Sequence, residues 1–123
     1  MVLIEETLFD RLNTDATLTT LAGGRITPVN LPDPVTFPAI TYNRISTERL
    51  QLVGSGSDLT RAVFQVSVFD TNFRGMVLVA SGVRQALDGK QGTRIINQVD
   101  LFDTTARVHY SNLDFEIAYN EIL

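Results

Sequence analysis

The chain has 123 residues, of which 44% are hydrophobic and 20% charged, so it is long and apolar enough for one domain, residues 1–123, and is not a disordered chain. A formal net charge of −4 argues against a surface that binds nucleic acid throughout, but it is compatible with a local basic patch. The chain has no cysteine, which excludes disulfides, thiol nucleophiles and thiolate metal sites.

Two short helices are predicted at the start of the chain. Ile4, Leu8 and Leu12 recur every four residues and predict an amphipathic first helix. Asp15 is a suitable N-cap for a short second helix, which ends at the glycine pair that begins with Gly23. The first six residues lack a basic start and a long apolar run, so we expect no signal peptide. No window of the sequence approaches the roughly 20 apolar residues that a membrane span needs, so we expect no membrane span.

The next segment is extended and rich in proline. Residues 25–27 are predicted to form a brief extended piece. A stiff connector should follow, because the residues between positions 28 and 38 include every proline of the chain: Pro28, Pro32, Pro34 and Pro38. Residues 39–45 then predict a strand. Residues 46–60 predict a long loop, and a loop of this length inside a compact domain is usually functional or disordered.

This predicted loop carries the candidate interaction residues. Apolar side chains lie between charged ones in it, and the candidate interaction element consists of Arg49, Leu50, Leu52 and Val53. A candidate basic patch consists of the arginines that flank the glycine–serine repeat of residues 54–57, namely Arg44, Arg49 and Arg61. These arginines are either solvated charges or a contact for an acidic partner surface or for passing DNA.

A strand and the main helix follow. Residues 61–70 alternate so that one face is wholly apolar, which predicts a strand. Thr71 or Asn72 can cap a helix that runs to about Asp88, with a core stripe of Met76, Val79, Ala80, Val83 and Leu87. A second stripe of small residues, Gly75, Gly82 and Ala86, predicts close approach of the sheet or of a neighbouring subunit.

Two strands, residues 94–102 and 106–121, are predicted to end the chain as a hairpin. A turn centred on Thr104 and Thr105 would pair Val99 with Tyr110 and Leu101 with Val108 on the core side. It would also pair Asp100 with His109 and Phe102 with Arg107. The apolar phase changes after Tyr110, which predicts a bulge at residues 111–112. The order α-α-β-β-α-β-β indicates an α+β fold, a mainly antiparallel sheet with helices packed on one face.

No motif predicts catalysis, a cofactor or a metal, so we do not expect an enzyme. His109 is the only histidine, and a solvent-side pair with Asp100 explains it better than a catalytic dyad. Asp100, Asp103 and Asp114 have no calcium-loop spacing. The glycine–serine repeat of residues 54–57 lacks the lysine and the helix of a phosphate loop.

An ordered set of short motifs resembles the tail completion, or tail terminator, proteins of long-tailed bacteriophages and of related prophages and gene transfer agents. The resemblance covers nearly the whole chain and rests on these segments: Leu8–Leu12, Asp15–Leu18, Gly24–Ile26 with Pro28, Phe37–Tyr42, Arg61–Phe69, Val83–Gly89, and Leu113–Ile117 before Tyr119.

The resemblance implies a virion protein, assembled in the host cytoplasm, that forms a ring, usually a hexamer, at the head-proximal end of the tail. Such a ring ends tail tube polymerisation and joins the tail to the head connector. Its implied partners are other copies of itself, the tail tube protein, the connector protein, and DNA that passes through the lumen without sequence recognition. The outer side of the strand with Gln65, Ser67 and Phe69 is a second candidate contact.

Two alternatives remain open at this point. One is another head–tail connector or minor tail component. The other is a non-viral α+β binding module that dimerises through its sheet.

Overall fold

Helices cover one face of a five-stranded sheet in the computed structural model, which describes residues 3–51, 58–90 and 92–120. The predicted α+β class, with a mainly antiparallel sheet, is confirmed. The elements, in chain order, are α1 (Ile4–Thr14), α2 (Ala16–Ala22), β1 (Ile26–Pro28), β2 (Ala39–Gln51), β3 (Asp58–Asp70), α3 (Phe73–Leu87), β4 (Thr93–Asp103) and β5 (Val108–Asn120).

The ends of the helices lie where their capping residues predict. The Leu18 amide donates to Asp15 Oδ1 at 3.0 Å and begins α2, which ends at Gly23 with a positive φ of 59°. The Gly75 amide donates to Asn72 Oδ1 at 3.3 Å and begins α3. Asn72 is therefore the cap.

The strand order is β1-β2-β3-β5-β4, so β4 lies at one edge of the sheet. At the other edge, the short β1 runs parallel to β2 and pairs only with Ile40, Thr41 and Tyr42. The other neighbouring strands are antiparallel. Beyond Tyr42, β2 therefore has no neighbouring strand on this side among the strands that the structure describes.

The two faces of the sheet differ in character. The even-numbered residues of β3 from Ala62 to Val68 and the odd-numbered residues of β5 from Leu113 to Ile117 are buried beneath the helices. We call this side the helix face and the opposite side the outer face. The predicted core stripe of α3 is confirmed, because all five of its residues are buried against the helix face.

The predicted loop at residues 46–60 is wrong where the structure describes it. The second strand continues to Gln51 and the third begins at Asp58, so the two form one long hairpin. A bulge interrupts the pairing, because Arg44 pairs with Phe64 and Ser46 pairs with Val63, which leaves Ile45 as the extra residue. Beyond this bulge, the residues of β2 are polar except for Leu50, so no apolar alternation marked this part of the strand in the sequence.

The predicted register of the last hairpin is also wrong, by two residues. Tyr110 pairs with Leu101, and His109 pairs with Phe102. Residues 104–107 form a longer turn than expected. Its geometry is set by Asp103, because the Thr105 and Ala106 amides both donate to Asp103 Oδ1 at 2.9 Å.

The predicted bulge at residues 111–112 is absent, because β5 pairs with β3 without interruption from His109 to Asn120. The bulge lies in β4 instead, where Ile96 is the extra residue. No insertion is needed in β5, because Tyr110 lies on the outer face and stacks on Phe69 with ring centroids 5.7 Å apart. Val99 and Leu101 lie on the same outer face and are exposed, so their predicted place in the core is wrong.

The close neighbour of Gly82 is α2 of the same chain, which was not among the predicted neighbours. A Cβ added at Gly82 would lie 3.0 Å from Leu18 Cδ2 and 3.7 Å from Thr17 Cγ2. A glycine at this buried position therefore lets α2 pack closely on α3.

We predict that Gly82→Leu lowers the free energy of unfolding by about 1–3 kcal/mol, because the added side chain must displace α2. Ser81→Leu adds the same side chain at an exposed position one residue earlier and should change it by about 0.5 kcal/mol or less. Urea unfolding of both variants measures the difference. Equal stability of the two variants would contradict this account of Gly82.

Candidate interaction surfaces

Half of the candidate interaction element lies outside the described residues. Leu52 and Val53 belong to the part of the chain that the structure does not describe. Arg49 and Leu50 lie near the end of β2, where their backbones pair with Thr60 and Leu59. A contact role for these four residues stays a prediction.

The structure does not bring Arg44 and Arg61 onto one surface. Arg44 pairs with Phe64 and therefore lies on the helix face, whereas Arg61 pairs with Glu48 and lies on the outer face. Each guanidinium has an acidic partner. Arg44 forms an ion pair with Glu5, and Arg61 Nε lies 2.8 Å from Glu116 Oε1. DNA or partner binding by these arginines stays a prediction.

An α1–β2 contact surrounds Arg44. Its guanidinium lies 5.4 Å from the centre of the Phe64 ring and donates to Thr47 Oγ1 at 3.2 Å. One turn along α1, the rings of Phe9 and Tyr42 lie 6.1 Å apart. Burial, and then the negative charge of Glu5, raises the pKa of Tyr42.

The outer face has an apolar end and a charged end, with polar pairs between them. At the apolar end, Phe69 stacks on Tyr110 beside Leu101. In the middle, Ser67 Oγ donates to Asn112 Oδ1 at 2.8 Å. Gln65 Nε2 donates to Asp114 Oδ1 at 3.3 Å.

At the charged end of the outer face, Glu116 lies between two arginines. Its carboxylate lies 2.8 Å from Arg61 Nε and 3.1 Å from Arg94 Nη2. The second predicted contact, Gln65, Ser67 and Phe69, thus belongs to a continuous face that no helix of the described chain covers.

The expected pair between Asp100 and His109 does not form. His109 pairs with Phe102, and its ring lies 4.6 Å from that of Phe102 and 5.5 Å from that of Phe73. Asp100 instead accepts a hydrogen bond from the buried Ser111 Oγ at 2.7 Å. The predicted pair of Asp100 with His109 was wrong because the predicted register of the hairpin was wrong by two residues.

The acidic residues of the last hairpin have structural partners. Asp103 binds the amides of its own turn, and Asp114 accepts from Gln65. Within residues 3–51, 58–90 and 92–120, no three His, Asp or Glu side chains are grouped so that they could hold a metal ion. No helix within these ranges is both long enough and apolar enough to span a membrane.

Sequence reasoning missed an exposed apolar surface along β4. Val99 and Leu101 are exposed on the outer face, and Phe102 is exposed on the helix face. The signal in the sequence was that apolar residues occur in both phases of this strand. A strand with one solvated face usually shows a clean alternation instead.

Comparison with known proteins agrees with this architecture. The sequence profile of the family described as tail completion protein gp17 matches residues 6–120. A solved structure described as the virion of a native gene transfer agent particle contains a chain with the same fold. That chain is 17% identical, with a TM-score of 0.77 over 93% of this chain and 92% of that chain. The curated proteins include no match.

We predict a pH dependence that depends on Tyr42. Because its folded-state pKa is raised, Tyr42 stays protonated in the folded chain while it ionises in the unfolded chain near pH 10. Its contribution is fully present below pH 10 and is lost as pH rises towards the folded-state pKa. The stability of the wild-type chain should therefore fall more between pH 9 and pH 11 than that of Tyr42→Phe. Urea unfolding at each pH measures this, and parallel losses in both chains would exclude the effect.

Proposed function

Since this chain belongs to the family of the tail completion protein gp17, we propose that it forms a hexameric ring at the head-proximal end of a phage tail. There it ends polymerisation of the tail tube and joins the tail to the head connector. The chain is a phage tail assembly protein and is located in the virion tail.

The family match carries this proposal, because it covers nearly the whole chain, residues 6–120. The fold gives it independent support. A chain within a gene transfer agent virion has the same architecture along 93% of the present chain, so this fold occurs as a component of an assembled particle.

The structure suits a mechanism of assembly by surface contact, without bond chemistry. A ring of identical subunits needs two different complementary surfaces on each copy. This chain has an uncovered outer face and exposed apolar side chains along β4, where contacts with copies or partners can form. The charged end of the outer face, with Arg61 and Arg94 on either side of Glu116, can border a lumen through which DNA passes.

We also propose that the candidate interaction element, Arg49, Leu50, Leu52 and Val53, contacts the tail tube. A Leu52→Ser, Val53→Ser double variant should then form rings of normal mass that no longer bind tail tubes. Co-sedimentation with tubes measures binding. Normal binding by the double variant would exclude these two side chains as a contact.

Termination can be tested on tubes assembled from the tail tube protein of the same virion. We predict that adding the purified chain during polymerisation stops further growth, with gold-labelled protein at one end of each tube in electron micrographs. Tubes that keep growing at the rate of tubes without the chain would contradict termination. Label along the tube wall, or only on connector complexes, would support the alternative of another connector or minor tail component.

A further inference from the structure

Two groups of exposed apolar side chains lie at opposite edges of the sheet. The β4 flank consists of residues from α3 and β4: Phe73, Val77, Ile96, Val99, Leu101 and Phe102. The β2 flank consists of residues along the free part of β2 and beside it: Leu3, Val29 and Ile45. Grouped apolar exposure of this kind marks contact surfaces in soluble proteins.

The β4 flank combines an open strand edge with side chains on both faces. On the helix face, Phe102 and Phe73 both contact the His109 ring, and they are 46% and 55% exposed. On the outer face, Val99 and Leu101 are exposed. Natural edge strands are usually protected by lysine, proline or charges that point inward.

Few charged residues protect the edge strand β4 from pairing with another chain. Between Ile95 and Phe102 the only charged residue is Asp100, and its carboxylate accepts a hydrogen bond from the buried Ser111 inside the same sheet. Beyond Ile95, whose amide donates to Asp88 Oδ1 at 3.0 Å, the strand therefore presents an apolar edge that no described strand pairs, which is a suitable template for another chain.

The β2 flank lies around the part of β2 that β1 does not cover. Val29 is 65% exposed, and its amide donates to the Tyr42 carbonyl at 3.0 Å, where the β1 pairing ends. Ile45 is the exposed bulge residue of β2. Leu3 precedes α1, which is tied to this part of β2 by the ion pair of Glu5 with Arg44.

The arrangement favours a second copy of this chain as the occupant of both flanks. Two β4 flanks packed on each other would leave both β2 flanks exposed, whereas a head-to-tail contact covers one flank of each kind. Strand direction agrees, because β4 runs antiparallel to β2 across the sheet. When copies in a ring share one axial direction, these two edges meet antiparallel, the more stable pairing.

We propose that the β4 flank of one copy docks against the β2 flank of the next, so that the sheets follow one another around a closed ring. This inference rests on the ring proposed above and names its subunit interface. It makes the interface heterologous, with Leu101 and Phe102 on one side and Val29 and Ile45 on the other.

The test uses one variant for each flank. Leu101→Glu places a charge on the β4 flank. Val29→Asp does so on the β2 flank, where Asp also suits the positive φ of 64° better than valine. Each variant alone should be monomeric in native mass spectrometry. In an equimolar mixture, the intact β4 flank of Val29→Asp can dock against the intact β2 flank of Leu101→Glu. The mixture should therefore form dimers and nothing larger, because the two flanks left over in each dimer both carry a substitution. Ser81→Glu, an exposed change on α3, is the control and should keep the wild-type mass.

The outcomes separate this inference from the ring proposal. Single variants that keep the wild-type ring mass would overturn the flanks as the interface and leave the ring intact. Folded variants whose mixture stays monomeric would overturn the head-to-tail pairing. A wild-type chain that is monomeric at every concentration would overturn the ring and this interface together. Thermal unfolding checks each variant, and Val99→Glu replaces Leu101→Glu if the latter does not fold.

Discussion

Burial of only one face of the sheet is the constraint on which the rest of this structure depends. Phe64 and Phe115 pair across β3 and β5 and lie fully buried beneath the helices, with α3 as the main cover. Because the helices of residues 3–51, 58–90 and 92–120 lie on the helix face alone, the opposite residues of the same strands face solvent or another molecule. The outer face and both edges of the sheet are thereby left available for assembly.

A tail assembly protein needs a rigid core and also exposed surfaces that contact its neighbours. In this chain, different residues meet these two needs. The core is formed by the helix face and the three helices, of which α2 and α3 are capped by the side chains of Asp15 and Asn72. The polar groups of the last hairpin bind one another, as Asp100 does with Ser111 and Asp103 with its turn amides. Apolar residues remain exposed at the strand edges, where they can drive association by their burial.

The sequence was sufficient to predict the helices and the central strand, because their signals lie within a few neighbouring residues. The period of Ile4, Leu8 and Leu12, and the caps Asp15 and Asn72, predicted the helices, and the alternation from Ala62 to Val68 predicted the central strand. Pairing beyond the core was not predictable in this way. The part of β2 from Ser46 to Gln51 is polar except for Leu50 and lacks alternation. The last hairpin register depends on one carboxylate that binds two amides, and the bulge at Ile96 has no residue signal.

The candidate surfaces needed the structure because they depend on which face and which edge each residue occupies. Arg44 and Arg61 are close in sequence to one predicted loop, yet they lie on opposite faces. The central claim, a ring-forming tail subunit, is tested most directly by the native mass of the purified wild-type chain across a concentration range. The account predicts a hexamer, or a monomer that converts to a hexamer without stable intermediates. A dimer at every concentration would contradict it and would favour a binding module that dimerises through its sheet.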